Sequence, residues 1–342
     1  MLAHERRGSG PPLVLIHGLG SRRQVWDPIV AELARHREVI TLDLPGFGES
    51  PLWPAPGSPT PGDRVTDHGA GNRSDPGPRL PGDPAPPGSP RPPSDPTAIG
   101  DRRLPGDPAA LGGSLPPSGP RGASIPDERA APGEAVVPGS VGHLADQVAA
   151  FLDQLGLDRP ELAGSSLGGG IALELGRRGR ARAVTAFAPV GFWGPVSRRW
   201  CQAVVGGARL LSTALGPALP RLLATRAGRV ALCAIFYGHP GRLSPEDCLA
   251  SARALSRAPG FAAARRAFGV WRLPIGADPG ALGGIPVTIV WGTRDVVLPY
   301  RRQAARAGEE LPGARHVLLQ EAGHLPFADD PVRCAELLTV RQ

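Results

Sequence analysis

Leu13-Val14-Leu15-Ile16 is a run of apolar residues with no polar alternation. A strand with one wet face alternates apolar and polar side chains, so an unbroken run marks a strand covered on both faces, as in a parallel sheet. Val39–Leu42 carries the same signature, and short apolar stretches over Glu161–Ala163, Arg182–Ala188, Ile285–Trp291 and Ala314–Leu319 read as further strands. Between the first two runs, Trp26, Ile29, Val30 and Leu33 have helical spacing, which predicts a helix over Trp26–His36. Strand, helix, strand at this spacing is a βαβ unit. The expected fold class is therefore α/β, with a mostly parallel central sheet and helices on both faces.

The periodicity breaks between Pro51 and Gly139. This stretch holds more than half of the 42 prolines and is otherwise dominated by Gly, Ser, Asp and Arg, with Pro-Gly-Asp recurring at no fixed period. Too little apolar surface is present to offset the entropy of ordering it, so 51–139 is expected to be a disordered insertion. A proline-rich docking segment for an unknown partner stays open there. Order is expected to resume at Ser140, a predicted N-cap, with Leu144, Val148, Phe151, Leu152 and Leu155 helically spaced behind it. The predicted organisation is a core first part over 1–50, the insertion over 51–139, a second core part over 140–190, a helical module over 191–281 and a last core part over 282–342. Aromatic residues of the helical module, Phe236 and Phe268 among them, are expected mostly in its core, some lining whatever lies beneath it.

The formal charge of +7 comes with no lysine at all, and the arginines are scattered. They read as solvated surface; no basic run or motif points to nucleic acid. Cys201, Cys233, Cys248 and Cys334 have neither metal-type spacing nor a C-x-x-C, and are expected as reduced, buried thiols of a cytoplasmic protein. The N-terminus has no apolar leader-like segment, and no apolar stretch is long enough to span a bilayer.

Chemistry enters at Gly164-Ser165-Ser166-Leu167-Gly168, which fits G-x-S-x-G. A serine on a sharp strand-to-helix turn presents its hydroxyl, and small flanking residues keep the turn free of collisions. Ser166 has that small-residue frame, whereas Ser165 has Leu167 two positions on. Asp295 and His324 follow, each just beyond a predicted strand, where active groups gather in open α/β sheets. A hydroxyl needs a neighbouring neutral imidazole to become a nucleophile, and a carboxylate to orient that imidazole. The backbone N–H groups of Leu167 and Leu19 are the expected oxyanion donors. His17 reads as structural and Asp43 as a loop-capping carboxylate. Asp278 sits in a Pro/Gly turn before its strand, which leaves Asp295 as the acid. Asp329 and Asp330 read as caps of the last helix, expected over Pro331–Val340.

Five stretches in order, Leu15–Gly20, Asp43–Ser50, Gly164–Gly169, Trp291–Asp295 and Gly323–Phe327, resemble the α/β-hydrolase superfamily, in its serine-nucleophile branch with a helical cap. The resemblance implies Ser166 as nucleophile, Asp295 as acid, His324 as base, and no metal or cofactor. Members with Asp at the elbow open epoxides or displace halide; Ser argues instead for acyl transfer to water. The expected function is a serine hydrolase that cleaves a carboxylic ester or related small-molecule acyl substrate through an acyl-enzyme. A C–C hydrolase of ring-cleavage products, and a hydrolase-fold protein that binds without turnover, are the alternatives. Two departures stand out. Only seven residues precede Gly8, so the edge hairpin is expected to be truncated, and the long insertion leaves near the expected active-site rim.

Overall fold

The structure, a computed structural model, describes residues 1–52, 137–269, 271–273 and 279–339. The unalternating runs are strands. β1 (His4–Arg7), β2 (Pro12–Ile16), β3 (Glu38–Leu42), β4 (Glu161–Ser165), β5 (Ala183–Phe187), β6 (Val287–Gly292) and β7 (Arg315–Leu319) form one sheet in the order β1-β3-β2-β4-β5-β6-β7. β1 runs antiparallel to β3 and every other neighbour is parallel. β6 begins after Pro286, two residues later than its apolar run, because proline has no N–H for the ladder.

The sheet is covered on both faces, which is why its strands do not alternate. In β2, Leu13 and Leu15 face one apolar cluster while Val14 and Ile16 face the other. α1 (Asp27–Leu33) and α10 (Pro331–Thr339) pack together on the first side, with Ile29, Val30, Leu337 and Leu338 buried. α2 (Val141–Gln154) and α3 (Leu167–Arg177) cover the second, with Val148, Phe151 and Ile171 buried. The first helix is shorter than its spacing predicts: a 3₁₀ turn occupies Arg23–Trp26, and the chain leaves the helix after Leu33, its last core-facing apolar residue. Ser140 caps α2, its hydroxyl accepting the His143 N–H at 3.1 Å. α9 (Tyr300–Glu310) lies between β6 and β7.

Between β5 and β6 the chain makes α4 (Pro195–Ala214), α5 (Leu219–Ala224), α6 (Arg226–Cys233), α7 (Pro245–Arg257) and α8 (Phe261–Phe268). They fall within the helical module expected over 191–281. The disordered insertion expected over 51–139 lies outside the described residues, apart from two positions at its start and three at its end. Among the described residues, no helix is long and apolar enough to cross a membrane.

One buried ionic cluster ties the edge of the sheet to the loop after β3. Asp43 is fully buried and accepts the backbone N–H of Arg23 at 2.6 Å and of Glu49 at 2.9 Å. It also pairs with the Arg23 guanidinium at 2.5 Å, which reaches on to Glu5 in β1 at 3.1 Å and to Glu49 at 3.0 Å. Asp43→Ala therefore leaves two N–H groups without their acceptor and takes from the Arg23 guanidinium the one fully buried carboxylate of its three partners. We predict a loss of about 3–5 kcal/mol in urea unfolding, the usual cost of removing one partner from a buried pair. Replacing Asp43 and Arg23 together with apolar residues should cost less than the two single changes summed.

Candidate functional site

Parallel pairing brings the carboxyl ends of β2, β3, β4, β5, β6 and β7 to one edge of the sheet. β2 is the switch point, since the chain runs to β3 on one side and to β4 on the other. The crevice of an open α/β sheet forms at such a point. Gly18-Leu19-Gly20 leaves β2 there and Ser166 leaves β4 beside it.

Ser166 is the turn between β4 and α3. Its backbone sits at φ 54° and ψ −113°, a region that costs a non-glycine residue about 1–3 kcal/mol. Neighbouring strands hold it there. Its N–H donates to Phe187 O at 2.8 Å, and its carbonyl accepts from the N–H of Gly170 and of Val190, both at 3.1 Å. The flanking glycines answer to backbone, not to side chains. A Cβ on Gly164 would overlap the carbonyl of Gly168, and one on Gly168 would overlap the carbonyl of Ile16. The Ser165 hydroxyl, by contrast, is buried in β4 and finds no hydrogen-bond partner among the described residues.

Asp295 and His324 meet beyond β6 and β7. Asp295 Oδ1 accepts the N–H groups of Val297 at 2.9 Å and Leu298 at 2.8 Å. Its Oδ2 lies 2.8 Å from His324 Nδ1, and each of the two residues is 4% exposed. A neutral imidazole that donates from Nδ1 leaves Nε2 as its acceptor. His324 and Ser166 line one small cavity of about 40 Å³ together with Leu19, Cys201, Phe236 and Phe268. Among the described residues no hydrogen bond joins the Ser166 hydroxyl to His324; such bonds are often long before a substrate closes the site. The backbone N–H groups of Leu19 and Leu167 have no protein acceptor among the described residues, and both residues line this cavity.

His17 holds the Leu19 loop in place. Its Nε2 accepts the Leu44 N–H at 2.9 Å, so the proton sits on Nδ1 and donates to Gly18 O at 2.7 Å. Complete burial pushes its pKa down, against the opposing pull of Asp43. The terminal carboxylates divide differently from expectation. Asp330 caps α10 through the Arg333 N–H at 3.1 Å. Asp329 does not: it accepts N–H groups from Gly238 at 2.7 Å, His239 at 2.8 Å and Gly323 at 2.9 Å, which ties the His324 loop to the segment after α6. Those donors lie 91, 90 and 6 residues away in sequence, out of reach of any local pattern.

Phe236 and Phe268, expected mostly as core, belong to the cavity wall. Cys201 was not singled out among the cysteines, and its spacing carries no signal for its place here. Burial, and secondarily the charge of Asp295, pushes its thiol up to about 12, so it stays a neutral wall group. Among the described residues no cluster of His, Cys, Asp and Glu has the arrangement of a metal site.

A family model for the alpha/beta hydrolase fold matches residues 11–209. The chain is 33% identical over 204 residues to the epoxide hydrolase EphH of Mycobacterium tuberculosis, spanning 57% of this chain and 92% of that one. A local match of 54% identity over 48 residues links it to the pimeloyl-[acyl-carrier protein] methyl ester esterase of Aeromonas salmonicida, covering 14% of this chain and 19% of the relative. Among solved structures, a thermophilic esterase from Thermogutta terrifontis superposes with a TM-score of 0.59 at 20% identity, over 98% of this chain and 91% of that chain.

Two predictions follow from the geometry. Gly164→Ala and Gly168→Ala each force a Cβ into a carbonyl and should lower the unfolding free energy by more than about 3 kcal/mol, read by thermal or urea denaturation. Because His17 is held neutral with its pKa below the ordinary 6.5, the unfolded chain binds the extra proton first. Stability should therefore fall as pH drops below about 6.5, and His17→Asn should flatten that part of the stability profile.

Proposed function

The chain belongs to the α/β-hydrolase fold family, and from that premise we propose that it hydrolyses carboxylic esters through an acyl-enzyme on Ser166. The observation that carries the reading is the buried Asp295–His324 hydrogen bond, opening into the same cavity as a serine held at positive φ. In this reading His324 Nε2 takes the proton as Ser166 Oγ attacks the ester carbonyl carbon. The carbonyl oxygen becomes an oxyanion, met by the N–H groups of Leu19 and Leu167. One such donor is worth about 3–4 kcal/mol in the transition state. Collapse breaks the bond to the alkoxy oxygen, which leaves as the alcohol with the proton from His324. Water then repeats the sequence: His324 takes its proton, its oxygen attacks the acyl carbon, and Ser166 departs with the proton as the acid is released. Asp295 keeps the imidazole in the required tautomer and stabilises the imidazolium between the steps. Helices α4–α8 act as a cap, excluding water from this cavity.

The nucleophile separates this chemistry from that named for the mycobacterial relative. Opening an epoxide by attack at saturated carbon leaves the attacking group alkylated. A carboxylate would then be an ester that water can cleave, whereas a serine would be an ether that water cannot. The same serine in an acyl transfer becomes an ester, which the second half-reaction removes.

A fluorophosphonate probe should label the wild type and not Ser166→Ala. His324→Ala should lower kcat for ester hydrolysis by about 10⁵–10⁶-fold, and Asp295→Asn by about 10⁴-fold. Labelling of Ser166→Ala equal to wild type would sink the assignment. A panel of esters, a styrene epoxide and a ring-fission dienone separates the chemistries. Turnover of the epoxide or the dienone in place of the esters would replace the proposal, and a folded protein inert to all three would be a binder.

A further inference from the structure

A second cavity, of about 620 Å³, opens behind the small one. Leu19, Ser21, Phe236 and Leu325 line both, so the wall of the Ser166 site is also the near wall of this larger space. Its remaining surface is largely aliphatic, drawn from α4–α7: Leu211, Leu219, Leu223, Leu232, Leu243 and Leu255. Its volume lies within the roughly 300–1,000 Å³ typical of ligand sites. Polar side chains interrupt this surface, Gln24, Ser212, Tyr237 and Ser251 among them; the half-buried Tyr237 phenol, whose pKa burial pushes up, bonds to Ser251. Arg22 stands in the lining with Asp27 and Asp247, so the charged groups of the wall are of both signs and the aliphatic surface is what distinguishes the space.

From this we infer that the substrate carries an extended, uncharged aliphatic acyl chain, which lies in the larger cavity while its ester carbonyl meets Ser166. The inference rests on the ester-hydrolase reading and adds the substrate class. Each methylene that moves from water to the cavity should raise kcat/KM by roughly fourfold until the space is filled. Nitrophenyl esters of acetate, butanoate, octanoate and decanoate measure this, and kcat/KM should climb along the series. Filling substitutions on two helices, Gly207→Trp on α4 and Ala252→Trp on α7, should reduce the ratio of decanoate to acetate rates at least tenfold. A Cβ at Gly207 meets no atom within 4 Å, so the substitution itself causes no overlap. A flat chain-length profile in an active enzyme, or an unchanged ratio in both filled variants, overturns the inference. Should no ester react, the hydrolase reading fails by itself. The cavity is then read by displacement of a bound fluorescent apolar dye with decanol, and absence of displacement overturns the cavity assignment as well.

A second observation concerns the exposed stripe of α4 and the arginines of α4–α6. From Leu175 to Pro245 the chain contains no Asp or Glu. Among the described residues Arg198, Arg199, Arg221 and Arg226 form no ion pair, and the last three are exposed. Along α4, Val196, Trp200, Ala203, Gly207, Leu210 and Leu211 recur at three- and four-residue spacing and are all exposed, Val196 at 73% and Leu210 at 71%. An apolar stripe beside unopposed arginines is the pattern of a helix lying in a lipid interface. Ala203, Gly207 and Leu211 also line the large cavity, so the stripe runs along its rim.

We propose that α4–α6 dock on an anionic lipid surface. Each arginine near such a surface contributes about fivefold in affinity. Sedimentation with vesicles of equal parts phosphatidylglycerol and phosphatidylcholine should pull down the full chain, and pure phosphatidylcholine vesicles should not. Val196→Glu with Leu210→Glu, or Arg199→Ser with Arg226→Ser as a gentler pair, should weaken binding at least tenfold, while circular dichroism reports the fold. Equal sedimentation of wild type and both variants, or no binding to anionic vesicles, overturns the proposal. Retention on polyglutamate resin without vesicle binding assigns the face to an acidic protein instead.

Discussion

Three backbone segments approach at one point in this protein with no side chain between them: the end of β2, the turn after β4 and the first turn of α3. The missing Cβ of Gly168 lets α3 seat against the carbonyl of Ile16, and that of Gly164 lets the same turn close on Gly168. The closeness of these segments forces Ser166 to positive φ, a conformation that would relax if the turn stood alone. Ladder-like hydrogen bonds from Phe187 and Val190, on the next strand and its exit loop, prevent the relaxation. The strain is thus held by the sheet as a whole, so the placing of the buried serine depends on correct β4–β5 register and on the β2 loop lying beside it.

The other half of the site is held by satisfied polar groups, not by close backbone packing. Asp295 spends one oxygen on two backbone N–H groups and turns the other to His324, so the carboxylate cannot rotate without losing bonds. Asp329 does the same for the loop around His324, but its partners Gly238 and His239 belong to the helical segment between β5 and β6. The position of the imidazole is thereby coupled to the segment that builds the cavity wall. A shift of that segment would reach His324 through three hydrogen bonds before it reached Ser166, whose restraints come from β5, its exit loop and α3.

That contrast explains what was legible in the sequence. The strands could be read because burial on two faces writes a local pattern, and the elbow because its steric demand falls within five consecutive residues. The Ser140 cap was readable for the same reason. Asp329 reads as a helix cap in the sequence because a carboxylate two positions before a helix offers the same local pattern whichever donors it finally meets. The distant backbone that claims it carries no signature. Phe236, Phe268 and Cys201 line the Ser166 cavity by virtue of how α4, α8 and the turn after α6 pack, and helical periodicity tells only which face is apolar, not which apolar face is left open.

The division extends to chemistry and selectivity. Groups that would move protons sit on strand ends, where sheet geometry fixes them to within small displacements. Groups that would choose the substrate sit on helices whose mutual packing leaves about 620 Å³ unfilled. A substitution on α4 or α7 can change that volume without touching a strand, whereas a substitution at Gly164 or Gly168 cannot change anything without disturbing the sheet. Relatives can therefore share the sheet edge and differ in what they accept, and a name attached to one of them speaks more for the common edge than for the cavity above it. In the reading proposed above, a hydroxyl yields a cleavable ester only when the carbon it attacks is an acyl carbon, so Ser166 would narrow the reaction while the helices would narrow the substrate.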